Sequence, residues 1–334
     1  MGLGHIYRTL WLARALRREG REVEFFVTED LTVKDLLRAN GFATRWFSNN
    51  LEEFEKTKVL NLWAFENRPA ALIIDHYQWT QECWESLKIP EGIVLAAVNL
   101  PREGFSKFHL AFQGIYDSLS FEEFVEEGCS IYGGVRYLMI SPEHVKLAGG
   151  WVPPKGRLET ILLAFGGTDV ADFSSKTLDR LEKIKECFKL TLIMGPGSKN
   201  FETIYGRVNR FPHQLEVFEG VEDLPARMSR SHLAITTAGM GTLSELALTG
   251  TPAIVLAAAE HQVKNAKKFA AFGGVINCAF SPGEVPHCFE DHLKALTFKP
   301  ERLKEMFHCW SGLVDGRGIE RIVNIILERT NRGN

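Results

Sequence analysis

Ala234-Ile235-Thr236-Thr237-Ala238-Gly239-Met240-Gly241-Thr242-Leu243-Ser244-Glu245-Leu246-Ala247-Leu248 runs from an apolar segment of strand length, through a glycine-rich turn, directly into a helical pattern. A strand that turns on glycines into a helix aims the first backbone N–H groups of that helix at one point, together with its positive dipole end. That geometry suits an anion, usually a phosphate. Glu245, one turn into the helix, is placed to accept hydrogen bonds from a ribose diol. A second strand pattern, Thr251-Pro252-Ala253-Ile254-Val255-Leu256-Ala257, leads into Glu260-His261-Gln262-Val263-Lys264-Asn265-Ala266. The stretch predicts a nucleotide-holding α/β domain in the C-terminal half of the chain.

The surroundings suit that expectation. A chain of 334 residues is long for one core and comfortable for two α/β domains. Hydrophobic residues make up 45% and charged residues 24%, the balance of a soluble globular protein. A net charge of −3 gives no broad basic field for nucleic acid or an anionic membrane. No run approaches the ~20 apolar residues of a membrane span. Met1-Gly2-Leu3-Gly4-His5-Ile6 reads neither as a signal peptide nor as a myristoylation site, which predicts a cytoplasmic protein. Cys83, Cys129, Cys187, Cys278, Cys288 and Cys309 show no CxxC pair and no zinc-ligand spacing, so scattered reduced thiols and no metal are expected.

Upstream, helical and strand periods alternate. Leu10, Leu12, Ala13, Ala15 and Leu16 form an apolar helix face opposite Arg14, Arg17 and Arg18, and Gly20 closes it. Strands are expected at Val23–Val27, Ala43–Phe47, Ala70–Ile74 and Ile93–Val98, with helices at Val33–Asn40 and about Thr80–Leu87. Lys146 to Glu159, rich in Gly and Pro, reads as a linker. A second alternation follows, with strands at Thr160–Phe165, Leu190–Met194, Leu215–Phe218, Leu233–Thr237 and Ala253–Ala257, and an amphipathic helix over Ile319–Arg329.

These patterns imply two doubly wound Rossmann-like domains, residues 1–148 and 159–318, and a closing helix over 319–334. Ligands of such sheets bind at the carboxyl ends of the strands, so a site in the cleft between the domains is expected.

Gly-x-Gly-His at Gly2–His5, Gly166-Gly167-Thr168-Asp169, Gly239-x-Gly241-Thr242-x-x-Glu245 and His261-Gln262-x-x-Asn265-Ala266 together resemble the GT-B glycosyltransferase superfamily. Ile73-Ile74-Asp75-His76-Tyr77, Tyr137-Leu-Met-Ile-Ser-Pro142-Glu143 and Asp315-Gly316-Arg317-Gly318-x-x-Arg321 narrow the likeness. Within that superfamily the chain is most similar to the UDP-sugar hydrolases of the pseudaminic acid pathway and the related spore-coat polysaccharide proteins. The resemblance implies a GT-B-like fold and metal-free, cofactor-free release of UDP from a UDP-linked diacetamido-trideoxy sugar. The partner it implies is a nucleotide-sugar substrate. A glycosyltransferase with the same donor site, or a non-catalytic sugar-nucleotide-binding protein, are the alternatives.

His5 is the expected base for the attacking water: it lies where the glycine-rich turn becomes a helix, whose positive end favours neutral imidazole. Gly2 and Gly4 would admit substrate close to the backbone. Arg8 is expected either on phosphate or as a solvated helix charge. At the carboxyl end of a strand, the resemblance makes Tyr77 a sugar- or water-positioning residue and Asp75 a second polar partner, against a loop cap and a packed ring. Gly239, Gly241 and Thr242 are expected to hold the diphosphate and Glu245 the ribose, so that donors stabilise the leaving group without a cation. Gln262 and Asn265 share a helix face and are expected to reach sugar or phosphate. His261 is either a second acid/base group or a helix start. Gly166 to Asp169 shape the cleft, with Asp169 alternatively a helix cap.

Relatives place a strand before Gly-x-Gly-His, whereas this sequence opens inside the turn. Without such a strand, its neighbours' edges would be left unpaired and His5 weakly anchored, so an upstream segment is expected. Ala96-Ala97-Val98-Asn99 stands where relatives are acidic, which implies a difference in sugar recognition.

Overall fold

In the computed structural model, which describes residues 3–75, 79–99, 102–114 and 122–332, the first helix carries two apolar faces. This helix, α1 (Leu3–Arg18), buries Ile6, Leu10 and Ala13 with Phe25, Leu37 and Phe42, and buries Leu12 and Leu16 with Val94, Ala96 and Leu110. Gly20, at φ 75°, ends it in a conformation that costs a residue with a Cβ more.

The chain then runs through β1 (Glu24–Thr28), α2 (Leu31–Ala39), β2 (Ala43–Phe47), α3 (Glu53–Asn67), β3 (Ala71–Ile74), α4 (Gln81–Ser86) and β4 (Val94–Val98). Three more strands complete this stretch: β5 (Leu110–Gln113), β6 (Glu122–Glu126) and β7 (Cys129–Gly133). Asp30 starts α2 by accepting the Val33 N–H at 3.0 Å. These elements belong to one of two units, which comprises Met1–Pro142 and Gly316–Asn334.

The strands of this unit form two sheets. β1 and β2 pair in parallel, and a five-stranded sheet has the order β3-β4-β5-β7-β6, antiparallel only at the β6–β7 hairpin. Among the described residues, neither β1 nor β3 has a second strand partner. Yet the two contribute to the same apolar clusters on both faces. Val23, just before β1, packs with Ala71 and Ile73 in the cluster of Leu12 and Leu16, and Phe26 packs with Leu72 and Ile74 in the cluster of Leu60 and Leu95. All five residues of β4 are buried, whereas every residue of β3 is only half-buried.

The second unit, Glu143–Asp315, holds one parallel sheet. Its elements are β8 (Thr160–Ala164), α5 (Phe173–Leu181), β9 (Lys189–Met194), α6 (Phe201–Tyr205), β10 (Gln214–Glu219), α7 (Leu224–Arg230) and β11 (Leu233–Thr237). After them come α8 (Met240–Thr249), β12 (Ala253–Leu256), α9 (Glu260–Ala270), β13 (Val275–Asn277), α10 (Cys288–Phe298) and α11 (Pro300–Trp310). The order is β10-β9-β8-β11-β12-β13, so the winding reverses between β8 and β11. Strand ends at such a switch point splay apart and leave room for a ligand. Apolar side chains of β8, β9, β11 and β12 line the core, as expected of a sheet covered on both faces.

The last helix, α12 (Gly318–Arg332), returns to the first unit. Its Ile319, Ile322, Val323 and Ile326 are buried with Phe112 and Tyr137. Gly318 is required here, because a Cβ at that position would lie 2.2 Å from the Leu138 carbonyl oxygen. Arg321 donates from Nη1 to the Arg136 carbonyl at 3.0 Å. The Asp315–Arg321 phrase therefore docks this helix.

Candidate functional site

Asp75 follows β3 directly, at the carboxyl end expected for a ligand-facing residue, while His5 and Arg8 lie in the first turns of α1. Two residues of one helix turn meet there a third that is distant in sequence. His5 Nδ1 is 2.9 Å from Asp75 Oδ1, and Arg8 donates from Nε to Asp75 Oδ2 at 2.5 Å and from its Nη2 to Asp75 Oδ1. Arg8 Nη2 also lies 2.7 Å from His5 Nδ1. A guanidinium only donates, so that contact would need Nδ1 bare, whereas the Asp75 contact needs Nδ1 protonated. Arg8 Nη2 already donates to Asp75 Oδ1, so the carboxylate contact decides: Nδ1 donates to Asp75 and leaves Nε2 the basic atom, the tautomer a general base requires.

The Asp75 side chain is 5% exposed. Burial pushes its pKa up, but the His5 hydrogen bond and the bonds and charge of Arg8 outweigh this and hold it below the ordinary carboxylate value. Asp75 is thus a fixed anion that orients His5. Arg8, expected on phosphate or as a solvated helix charge, commits two donors to Asp75. Gly4 lies in the first turn of α1. Tyr77, like His76, falls outside the described residues.

In the second unit, the turn between β11 and α8 has the expected form. Gly239 is the N-cap of α8 and makes no side-chain capping bond. The first-turn N–H groups of an α-helix have no partner within the helix, so those of Met240, Gly241 and Thr242 lack one there. A Cβ on Gly239 or Gly241 would meet no protein atom within 4 Å. The turn is braced from behind by Asn265, whose Nδ2 donates to the Ala238 carbonyl at 3.2 Å, and by Ala238 N–H donating to Leu256 at 2.8 Å.

Gln262, on the same face of α9, accepts the Ala258 N–H with its amide oxygen at 2.8 Å and closes the turn after β12. His261 is exposed in the first turn of α9. Gly166, at φ 87°, opens the turn after β8. The neighbouring β9 loop packs against that turn so closely that a Cβ on Gly195 would lie 2.3 Å from the Gly167 Cα. The Asp169 carboxylate accepts from Phe173 and Ser174 N–H, both at 2.9 Å, and so caps α5.

Glu245 projects from α8 with its side chain 20% exposed. Burial pushes its pKa up to about 7. His144 Nδ1 lies 3.7 Å from Glu245 Oε1, a neighbour that sequence reasoning missed. Nδ1 of His144 is buried with no hydrogen-bond partner among the described residues, and burial lowers the pKa of that ring. No local spacing relates positions 144 and 245; only the fold does.

Residues 161–318 match the model of the glycosyltransferase family 28 C-terminal domain. Across 97% of its length the chain is 25% identical to the spore coat polysaccharide biosynthesis protein SpsG of Bacillus subtilis, covering 94% of that protein. It is 26% identical over 265 residues to an uncharacterized protein of Methanocaldococcus jannaschii, of whose length it spans 53%. Over 160 residues it is 30% identical to the UDP-N-acetylglucosamine–N-acetylmuramyl-(pentapeptide) pyrophosphoryl-undecaprenol N-acetylglucosamine transferase of Carboxydothermus hydrogenoformans, covering 42% of that enzyme. The crystal structure of Acinetobacter baumannii MurG superposes with a TM-score of 0.71 at 17% identity, covering 97% of this chain and 96% of that one. The family match thus covers the second half of a chain whose α/β fold with parallel sheets matches that of the GT-B glycosyltransferases.

Proposed function

We propose that the protein is a nucleotide-sugar enzyme of polysaccharide biosynthesis that releases UDP from a UDP-linked amino sugar by hydrolysis, without a metal. The observation that carries this reading is the 2.9 Å contact between His5 Nδ1 and the buried Asp75 carboxylate, which equips His5 Nε2 to take a proton. In the proposed reaction a water oxygen attacks the anomeric carbon and passes its proton to His5 Nε2. The bond from that carbon to the β-phosphate oxygen breaks, and the electron pair leaves with UDP. The bare N–H groups at the start of α8 receive the diphosphate charge, and Glu245 accepts from the ribose hydroxyls. The spore-coat likeness over nearly the whole chain supports a place in polysaccharide synthesis, with a nonulosonic (pseudaminic-type) acid as the expected product line.

A second reading, transfer of the sugar to an acceptor, is favoured by the family 28 domain and by the named transferase relative. The chemistry differs only in which hydroxyl His5 deprotonates. Incubation with a panel of UDP-sugars, with and without candidate acceptors and in EDTA, separates the two by following free UDP. Release without acceptor and unaffected by EDTA is expected. Release only with an acceptor would establish transfer, and release only with added magnesium would overturn the metal-free mechanism.

A further inference from the structure

Cys278 and Cys288 stand far from any familiar metal-binding spacing in the sequence, yet the fold brings them together with His292. One ligand atom of each, the two Sγ atoms and a ring nitrogen, all lie within 4.8 Å of one another. Cys278 is fully buried immediately after β13, with its backbone fixed by donation from its N–H to the Val255 carbonyl at 2.9 Å. Cys288 is the first residue of α10, and His292 follows it at i+4 on the same helix face. The sulfur of Cys288 therefore sits at the positive end of the α10 dipole, which favours an anion.

We propose that Cys278, Cys288 and His292 bind a zinc ion that ties β13 to α10. Two thiolates and one imidazole are a donor set suited to this borderline-soft ion, leaving a fourth position for water. Tetrahedral zinc, with Zn–S near 2.3 Å and Zn–N near 2.0–2.1 Å, needs its donor atoms roughly 3.5–3.8 Å apart. Closing from the present spacing takes side-chain rotation of about 1 Å, within reach of residues on an edge strand and a helix end. Binding displaces both thiol protons, so one Zn²⁺ and two thiols give a neutral bis-thiolate centre and two released protons.

The nine intervening residues, 279–287, are already held at several points. Gly283 N–H donates to Ala257 O at 2.7 Å, Lys176 Nζ donates to Gly283 O at 2.9 Å, and Arg180 Nη2 donates to Pro286 O at 3.4 Å. The segment that the ion would fasten is thus ordered in advance, which lowers the entropy cost of binding.

The test uses reduced full-length protein in chelator-treated buffer, titrated with Co²⁺ as a spectroscopic probe and then with Zn²⁺. One equivalent of Co²⁺ per chain should produce a thiolate-to-cobalt charge-transfer band that Zn²⁺ abolishes. Cys288→Ser and His292→Gln should lose or weaken the band at least tenfold, while Cys187→Ser and Cys309→Ser keep it. Should the site variants fail to fold, wild type alone decides. Zn²⁺ should slow alkylation of Cys278 and Cys288 at least tenfold, read by peptide mass spectrometry, and leave Cys187 and Cys309 unprotected. No band with reduced wild type, a band that survives loss of both Cys278 and Cys288, or equal alkylation with and without Zn²⁺ overturns the proposal.

Discussion

His5, Arg8 and Asp75 divide one task, in which only His5 has an atom suited to take a proton from the reacting water. His5→Ala should lower kcat by about 10²–10⁴, the usual worth of a positioned general base, with UDP affinity unchanged by calorimetry. Equal turnover in the variant would make the triad structural. Asp75→Asn should lower kcat as well, because it removes the carboxylate that fixes the His5 tautomer while leaving Arg8 a half-buried cation with one fewer anion. Glu245 gives a pH signature whose sign follows from its raised pKa. The folded protein favours the neutral carboxyl, so this group's contribution to stability is present below the ordinary Glu value and is lost as pH rises through about 7. A ribose diol donates to the ionised form, so UDP affinity should run the opposite way, weakening as pH falls below about 7. The titration of the phosphate itself cancels in a comparison with Glu245→Gln, whose profile should be flatter; parallel profiles would remove Glu245 from the ribose.

Elements with a clean period were legible in the sequence, and β2 and β11 run over the residues expected. The helix α3 was not, because Val59, Leu62 and Phe65 are exposed while Lys56 and Thr57 are buried, which erases the one-sided apolar stripe. Strands β5, β6 and β7 are short and follow a six-residue 3₁₀ helix at Arg102–Lys107, so no period had room to develop. The glycine turn after β11 was readable because its chemistry is local. Asp75 against His5 was readable only as two separate hints, and His144 against Glu245 not at all, since each pairing is made by packing across the fold. The bond by which the Gln262 amide oxygen closes its own turn was not legible, because no sequence pattern tells an outward amide from one that caps a turn. The divided sheet of the first unit has a measurable counterpart. Amide protons of β3 should exchange faster than those of β11, which is paired on both sides and buried at every position, in a native-state exchange experiment. Equal protection would mean that β3's second edge is covered in solution.

At the scale of the molecule, α12 closes a core layer of the first unit, since four of its apolar residues complete a cluster begun by α1. Ile322→Ala should cost about 2–5 kcal/mol, measured by urea unfolding of the first unit, and leave the transition of the second unit in place. A shift of both transitions together would show that the two units unfold as one. The first unit is therefore discontinuous in sequence, whereas the second is a single uninterrupted segment.

That arrangement has a consequence during synthesis. A ribosome releases residues in order, so all of Glu143–Asp315 leaves the exit tunnel before α12 does. The second unit can acquire its core while the first still exposes the apolar surface of Leu12, Leu16, Val94 and Phe112 that α12 will cover. Nascent chains stalled just short of Gly318 should thus resist protease over the second unit and be cut within the first. The late arrival of α12 is what turns an early, half-finished layer into a closed one, and until then that layer is a target for chaperones.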